Sequence, residues 1–204
     1  MAPRTPYRSR APQIAPENRG ARMRNDAASS PRLPTAKCCK QECHDPYTEA
    51  VSPISAGILL FRRRNSRTEV FLVHPGGPYW AQKEAGAWSV PKGLIMPGEE
   101  DLECARREFK EETGFDLHGI GNEHDLGIFR QPSGKRLHIW AVEGDCNPSN
   151  LTSNLFEMEW PPKSGHKQQF PEVDRGGWFD PEQAVAKITK GQRPILESFY
   201  TEIG

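Results

Sequence analysis

The first regular pattern along the chain is a pair of apolar runs, Ile54 to Arg62 (ISAGILLFR) and Thr68 to His74 (TEVFLVH), separated by the polar stretch Asn65-Ser66-Arg67-Thr68. Ile, Val, Leu and Phe in runs of this length, broken by turn formers, predict two strands joined by a turn. Residues 75–93 (PGGPYWAQKEAGAWSVPKG) carry too much Gly and Pro for a helix or a central strand, so a loop leading to a short strand at Ala87 to Val90 is expected. LGIFRQ (126–131) and KRLHIWAVEG (135–144) read as two further strands joined through Pro132, Ser133 and Gly134, followed by an irregular segment from Asp145 to Phe170 and a short strand at Gly177 to Phe179. PEQAVAKI (181–188) and RPILESFY (193–200) space their apolar residues as helices do. Strands and helices are interspersed and no internal repeat is present, so an α/β or α+β sandwich is expected.

Between these elements lies the densest helical pattern in the chain. Pro97 and Gly98 make a turn, Asp101 to Thr113 are nearly all competent helix formers, and Gly114 stands where a helix stops. At about 100° per residue, Leu102, Ala105 and Phe109 share a stripe that can face a core, while Glu108, Glu111 and Glu112 fall on an adjacent stripe. Like charges at i, i+3 and i+4 destabilise a helix by a few tenths of a kcal/mol per pair, a cost that a hard divalent cation among them removes. Mg2+, or Mn2+, is the natural occupant. An isolated acidic helix is more often a solvated face, so the decision rests on what flanks it.

Composition bounds the remaining choices. The chain has 204 residues, 35% hydrophobic and 26% charged, and is long enough for one domain and a tail. No apolar run approaches a membrane span, and the N-terminus lacks the hydrophobic middle of a secretory signal. Five cysteines, unevenly placed, suit free thiols in a reducing compartment, so a soluble cytoplasmic protein is expected. The formal net charge of zero conceals nine Lys or Arg against five acids in residues 1–50 and eighteen against twenty-two in the rest. That basic N-terminal stretch has no apolar periodicity and is expected to be a disordered tail, leaving 51–204 as the folded domain. Cys38, Cys39, Cys43 and His44 are metal-ligand types, but their crowding into seven residues disfavours a tetrahedral zinc site. The tail's small excess of positive charge gives no ground for specific nucleic-acid binding.

The flanks of the acidic helix settle its reading. From Gly93 five residues intervene before Glu99 and seven more before Arg107, after which Glu108, Phe109, Lys110, Glu111, Glu112, Thr113, Gly114 and Phe115 follow. This resembles the full signature of the Nudix hydrolase family, with no departure at a defining position, and so long a spaced pattern is far more specific than a short motif. The resemblance extends more loosely from about Ser55 to Tyr200. It implies an α+β fold, a mixed β-sheet sandwiched between α-helices, and hydrolysis of nucleoside diphosphates linked to some further group, using divalent metal. By the family's pattern Glu108, Glu111 and Glu112 hold metal, the Gly93 carbonyl completes the shell, and Glu99 and Arg107 pair to shape the loop.

WSVPKG (88–93) resembles the run that precedes the signature in Nudix hydrolases of asymmetric diadenosine tetraphosphate, which would place Lys92 on phosphate oxygens. In the same relatives an acidic residue at the place of Glu172 contributes to metal binding or water activation. HPGGPYWAQKEAGAW and SNLFEMEWPPKSGHKQQFPEVDR resemble a bacterial branch of predicted nucleoside triphosphate pyrophosphohydrolases. Tyr79, Trp80, Trp88, Trp160 and Phe170 are candidates for stacking a nucleobase, some of them being packing residues instead. Gly76 and Gly77 could bring backbone amides near phosphate, or simply turn the chain. His74, which has no nucleophilic partner, and Cys104 and Trp178 read as structural. Three functions follow in order: a hydrolase of dinucleoside polyphosphates, a nucleoside triphosphate pyrophosphohydrolase, and a nucleotide sensor without catalysis, the last disfavoured by the complete carboxylate set. A small nucleotide is the expected partner, and the sequence is silent on oligomeric state.

Overall fold

The structure, a computed structural model, describes residues 53–204. The tail and the Cys38, Cys39, Cys43 and His44 group lie outside the described residues. Strands β1 (Ile54–Arg64) and β2 (Arg67–Pro75) form a hairpin whose last pair is Arg64 with Arg67. The two linking residues, Asn65 and Ser66, have φ of 52° and 60°, as a two-residue type I′ turn demands, a turn whose backbone twist matches that of the flanking strands.

The main sheet runs β4 (Glu123–Arg130), β5 (Arg136–Glu143), β1, β2, β8 (Val173–Phe179), with the short β3 (Lys92–Leu94) pairing with the start of β1. β1 and β5 are parallel and the other pairs antiparallel, so the sheet is mixed. Both faces are covered, which is why β1 and β2 read as near-continuous apolar runs. One face (Leu59, Phe61, Val70, Leu72, Ile139) packs on α2 (Pro181–Lys187) and α3 (Arg193–Glu202) through Ala184, Ile195, Leu196 and Phe199. The other (Ala56, Ile58, Leu60, Phe71, Val73) packs on α1 (Asp101–Thr113) through Cys104, Ala105 and Phe109, with Leu102 partly buried beside them. The expected sandwich is therefore present, and so is the expected helix. Gly114 ends it with φ 79° and an amide bonded to Lys110 O at 2.7 Å, a left-handed stop that glycine adopts without strain.

Three local expectations need correction. The short strand foreseen at Ala87 to Val90 is reduced to single bridges, Val73 with Ser89 and Trp88 with Ile188, and the true strand lies just after it at β3. Pro91 has no amide to donate, so the ladder resumes only beyond it. The segment from Asp145 to Phe170 is not irregular: a 3-10 turn at Pro148–Asn150 precedes a two-stranded hairpin, β6 (Leu155–Glu159) and β7 (Lys167–Pro171). Neither strand has a fully buried residue, so neither carries a core-facing apolar pattern in the sequence. Finally, β8 begins at Val173, earlier than the glycine-rich sequence suggests, because its partner β2 supplies the ladder. Among the described residues no helix is long and apolar enough to cross a membrane.

Candidate active site

β3 is the seam on which the site is built. Antiparallel pairing sets Gly93 opposite Ala56, with α1 packed directly over it. A side chain at Gly93 would occupy the space of the Glu108 carboxylate, so only glycine lets this strand approach the helix so closely. One residue earlier, the amide of Lys92 donates to Glu112 Oε2 at 3.2 Å. The Cys104 thiol lies 3.4 Å from Leu94 O and 3.8 Å from Gly93 O. It is fully buried, and burial pushes it up to about 12, so it remains a packing thiol.

Arg107 organises the outer edge. Its Nε and Nη2 donate to Glu99 Oε1 and Oε2 at 2.7 and 3.0 Å, a bidentate grip, while Nη1 donates to Glu108 Oε1 at 2.7 Å and Glu111 Oε2 at 3.2 Å. Nη2 also reaches Leu94 O at 3.3 Å, and the Met96 amide donates to Glu99 Oε2 at 2.9 Å. One guanidinium thus fastens the loop between β3 and α1 to two of the helix carboxylates. The Arg107 hydrogen bonds hold Glu99 down at about 2, and Glu99 in turn raises Arg107 above its ordinary value.

Glu112 lies deeper. Burial pushes its carboxyl up to about 7; Lys92 pulls it back through its charge and amide, while the charges of Glu108 and Glu172 push it further up. Glu172 reaches this neighbourhood from the bend between β7 and β8, where its amide donates to Asn154 O at 2.8 Å and its carbonyl accepts the Gly76 amide at 2.9 Å. Its side chain is exposed.

The chemistry of this donor set suits a hard divalent cation: carboxylates of Glu108, Glu111 and Glu112, a carbonyl at Gly93, and Glu172 from a second element. Among the described residues no three metal-ligating side chains stand together in coordinating geometry, and Glu108 and Glu111 are directed to Arg107. Glu112, a half-buried acid among like charges, has most to gain from an added cation.

The residues expected to touch substrate are divided by the fold. Lys92 lines a cavity of about 450 Å³ with Pro75, Trp80, Ser89, Gln131 and Ser133, so lysine and one exposed aromatic do meet there. Trp88 does not join them. It is 5% exposed, with its ring against Phe179 (centroids 4.8 Å) and His74 (5.2 Å) and its Nε1 donating to Glu84 at 3.3 Å, so it belongs to the core. Tyr79 is exposed and meets Trp160 edge-on at 5.3 Å, while Phe170 packs near Phe156 at 6.1 Å; neither lines the Lys92 cavity. Gly77, with φ 86°, passes closely over the Phe156 ring, so the loop after β2 rests on the β6–β7 hairpin. Gln131 and Ser133 were not foreseen, since a β4–β5 connection has no local mark distinguishing a cavity wall from an ordinary turn.

The sequence matches the NUDIX domain over residues 51–199. Part of it is 31% identical over 99 residues to the asymmetrical bis(5'-nucleosyl)-tetraphosphatase of Mus musculus, covering 44% of this chain and 63% of that protein. Against the m7GpppN-mRNA hydrolase of Saccharomyces cerevisiae it is 33% identical over 97 residues, 48% of this chain and 8% of the relative. The chain therefore spans less than two thirds of either relative. The Ap4A hydrolase of C. elegans in a binary complex superposes with a TM-score of 0.52 at 20% identity, over 73% of this chain and 96% of that one. The NUDIX domain of Shewanella oneidensis NrtR complexed with ADP ribose gives 0.53 at 14% identity, over 79% and 95%. At such identities these two structures speak for the fold. The signature thus sits in the loop and helix that its spacing foretold, and since the family match takes in most of the sequence, the chain belongs to the Nudix family.

Proposed function

We propose that this protein is a Mg2+-dependent hydrolase that cleaves a pyrophosphate linkage in a nucleoside polyphosphate, acting on a dinucleoside polyphosphate such as diadenosine tetraphosphate. The observation that carries this reading is that Glu112 feels the charges of Glu108, Glu172 and Lys92 together, with Lys92 lining the cavity that also takes in Trp80. Bound metal would neutralise phosphate oxygens and sharpen a water nucleophile. Glu108, Glu111, Glu112 and the Gly93 carbonyl are the groups to hold it. Lys92 meets phosphate as a point charge at the cavity mouth. Glu172, exposed and arriving from outside the helix, accepts a proton from the attacking water at its carboxylate. Arg107 and Glu99 take no proton; they fix the loop that carries the Gly93 carbonyl. Tyr79 and Phe170, set on the neighbouring hairpin surface, offer stacking faces to the part of the substrate beyond the Lys92 cavity. The 31% identity to a tetraphosphatase supports the dinucleotide. A cytoplasmic location accords with the free thiols of Cys104 and Cys146.

The second reading is cleavage of nucleoside triphosphates to monophosphate and pyrophosphate, favoured by a cavity of about 450 Å³ that has room for a single nucleoside. A panel of diadenosine polyphosphates, nucleoside triphosphates, ADP-ribose and nucleotide sugars, run with Mg2+ and with chelator, separates the two by product identity. ATP and AMP from diadenosine tetraphosphate support the first reading; pyrophosphate from triphosphates supports the second. Binding without turnover of any compound would make the protein a sensor.

A further inference from the structure

Outside the carboxylate site, the most constrained polar group is His74, the penultimate residue of β2, whose side chain is fully buried. Its Nε2 lies 2.6 Å from the carbonyl of Lys83 and its Nδ1 lies 2.7 Å from Asp174 Oδ1. Each ring nitrogen is thus held from a different element, one by the loop after β2 and the other by β8. Arg175 Nη2 is 3.2 and 3.3 Å from the two ring nitrogens, nearly equidistant, as expected of a group lying over the ring. Glu84 accepts from Arg175 at 2.6 Å, from Lys187 at 2.9 Å and from Trp88 Nε1 at 3.3 Å. Asp174, Arg175, Glu84 and Lys187 are the charged groups set around the buried ring.

This arrangement depends on an irregularity in the sheet. His74 pairs with Arg175 and Pro75 with Val173, so the register shifts and Asp174 is left as the extra residue of a bulge. With Trp178 opposite Phe71 and Gly176 opposite Val73, strict alternation would put Asp174 on the α1 face; the bulge gives that place to the buried Val173 and frees Asp174 to meet His74. Such an investment at the strand end serves the segment that follows. Residues 75–92 supply Pro75, Trp80, Ala87, Ser89 and Lys92 to the cavity beside the carboxylates. His74 holds this segment near its middle, at Lys83, while Gly76 is tied to the Glu172 carbonyl at 2.9 Å.

We infer that His74 is a positioning residue that latches residues 75–92 to β8 and thereby sets the substrate-facing wall of the cavity. The placement of Trp80, whose carbonyl accepts the Lys83 amide at 2.7 Å, rests on it, whereas Lys92 is set by the pairing of β3 with β1. The inference builds on the nucleotide-hydrolase reading for its kinetic consequence, and on the fold alone for its structural one.

The test compares His74→Leu, which keeps bulk and removes both contacts, with His74→Gln, whose amide can still donate toward the Lys83 carbonyl. In the full-length chain, tryptic cleavage after Lys83 is followed by mass spectrometry, alongside a thermal melt and kinetics on diadenosine tetraphosphate. His74→Leu is expected to accelerate that cleavage about tenfold and raise KM about tenfold with kcat changed less than about threefold, as for loss of a buried hydrogen bond. His74→Gln is expected to recover most of both effects. Unchanged cleavage and KM in His74→Leu overturn the latch. So does an equal loss of melting temperature, kcat and KM in both variants, which would mark His74 as a packing residue only. If neither diadenosine tetraphosphate nor a triphosphate is hydrolysed, the nucleotide reading fails while the cleavage comparison still decides the latch.

Discussion

The backbone amide of Lys92 donates to Oε2 of Glu112 across 3.2 Å, joining strand β3 to the last turn of helix α1. This contact comes from a residue that lines the cavity of about 450 Å³ and ends on the acid whose carboxyl burial raises to about 7. If the carboxylates hold a cation as proposed, the protonation of Glu112 should link the stability of the domain to that cation.

The first prediction concerns pH. Glu112 has an ordinary value of 4.5 and is pushed by burial to about 7 in the fold, so the folded chain binds more protons between those limits. Its contribution to stability is complete below 4.5 and is lost as pH rises through 7. Glu99 acts in the opposite window: held at about 2 by Arg107, it stabilises above 4.5 and that contribution is lost as pH falls toward 2. In chelator, the melting temperature should fall between about pH 5 and about pH 8, and Mg2+ should diminish the fall by favouring the ionised Glu112. A Glu112→Gln variant should show neither the fall nor its relief. Identical pH profiles for the two proteins would detach Glu112 from the effect.

Gly93 is predicted to tolerate no side chain. Gly93→Ala must move either β3 or the Glu108 carboxylate, and overpacking of this kind costs about 1–3 kcal/mol. Displacement of a group by roughly 1 Å can also cost about 10²-fold in rate. Denaturant melts and steady-state kinetics should therefore both change; a normal rate would separate Glu108 from the chemistry.

Arg107→Lys tests the loop clamp. A lysine cannot reproduce the paired contacts at 2.7 and 3.0 Å to Glu99 while also reaching Glu108, so stability should drop by about 1–2 kcal/mol. Glu99→Gln should cost a similar amount, and the double variant less than the sum, because both remove the same pair. Additive losses in urea melts would show that the two residues stabilise the protein independently.

Glu172→Gln is predicted to lower kcat by roughly 10²-fold with a much smaller change in KM, as for loss of a general base. Raising pH should restore part of the rate if Glu172 is the base, whereas added Mg2+ or Mn2+ should restore it if Glu172 is a metal ligand. Kinetics equal to wild type across both titrations would return Glu172 to the role of a loop carboxylate, and the base would then be sought among Glu108, Glu157 and Glu159.

Much of this molecule was legible in the chain itself wherever local rules act alone. Helix α1 runs over the residues its propensities and Gly114 delimit, the β1–β2 hairpin turns at Asn65 and Ser66, and the acids at 108, 111 and 112 share a face because helical periodicity leaves no alternative. The tertiary structure decided what depends on partners distant in sequence. The β6–β7 hairpin has no core face to announce it, Trp88 became core because His74 and Phe179 close around it, and β3 exists because Gly93 fits between Ala56 and Glu108. The raised Glu112 and the buried His74 have the same origin, since burial and the charges that offset it come from strands and loops brought together only by folding.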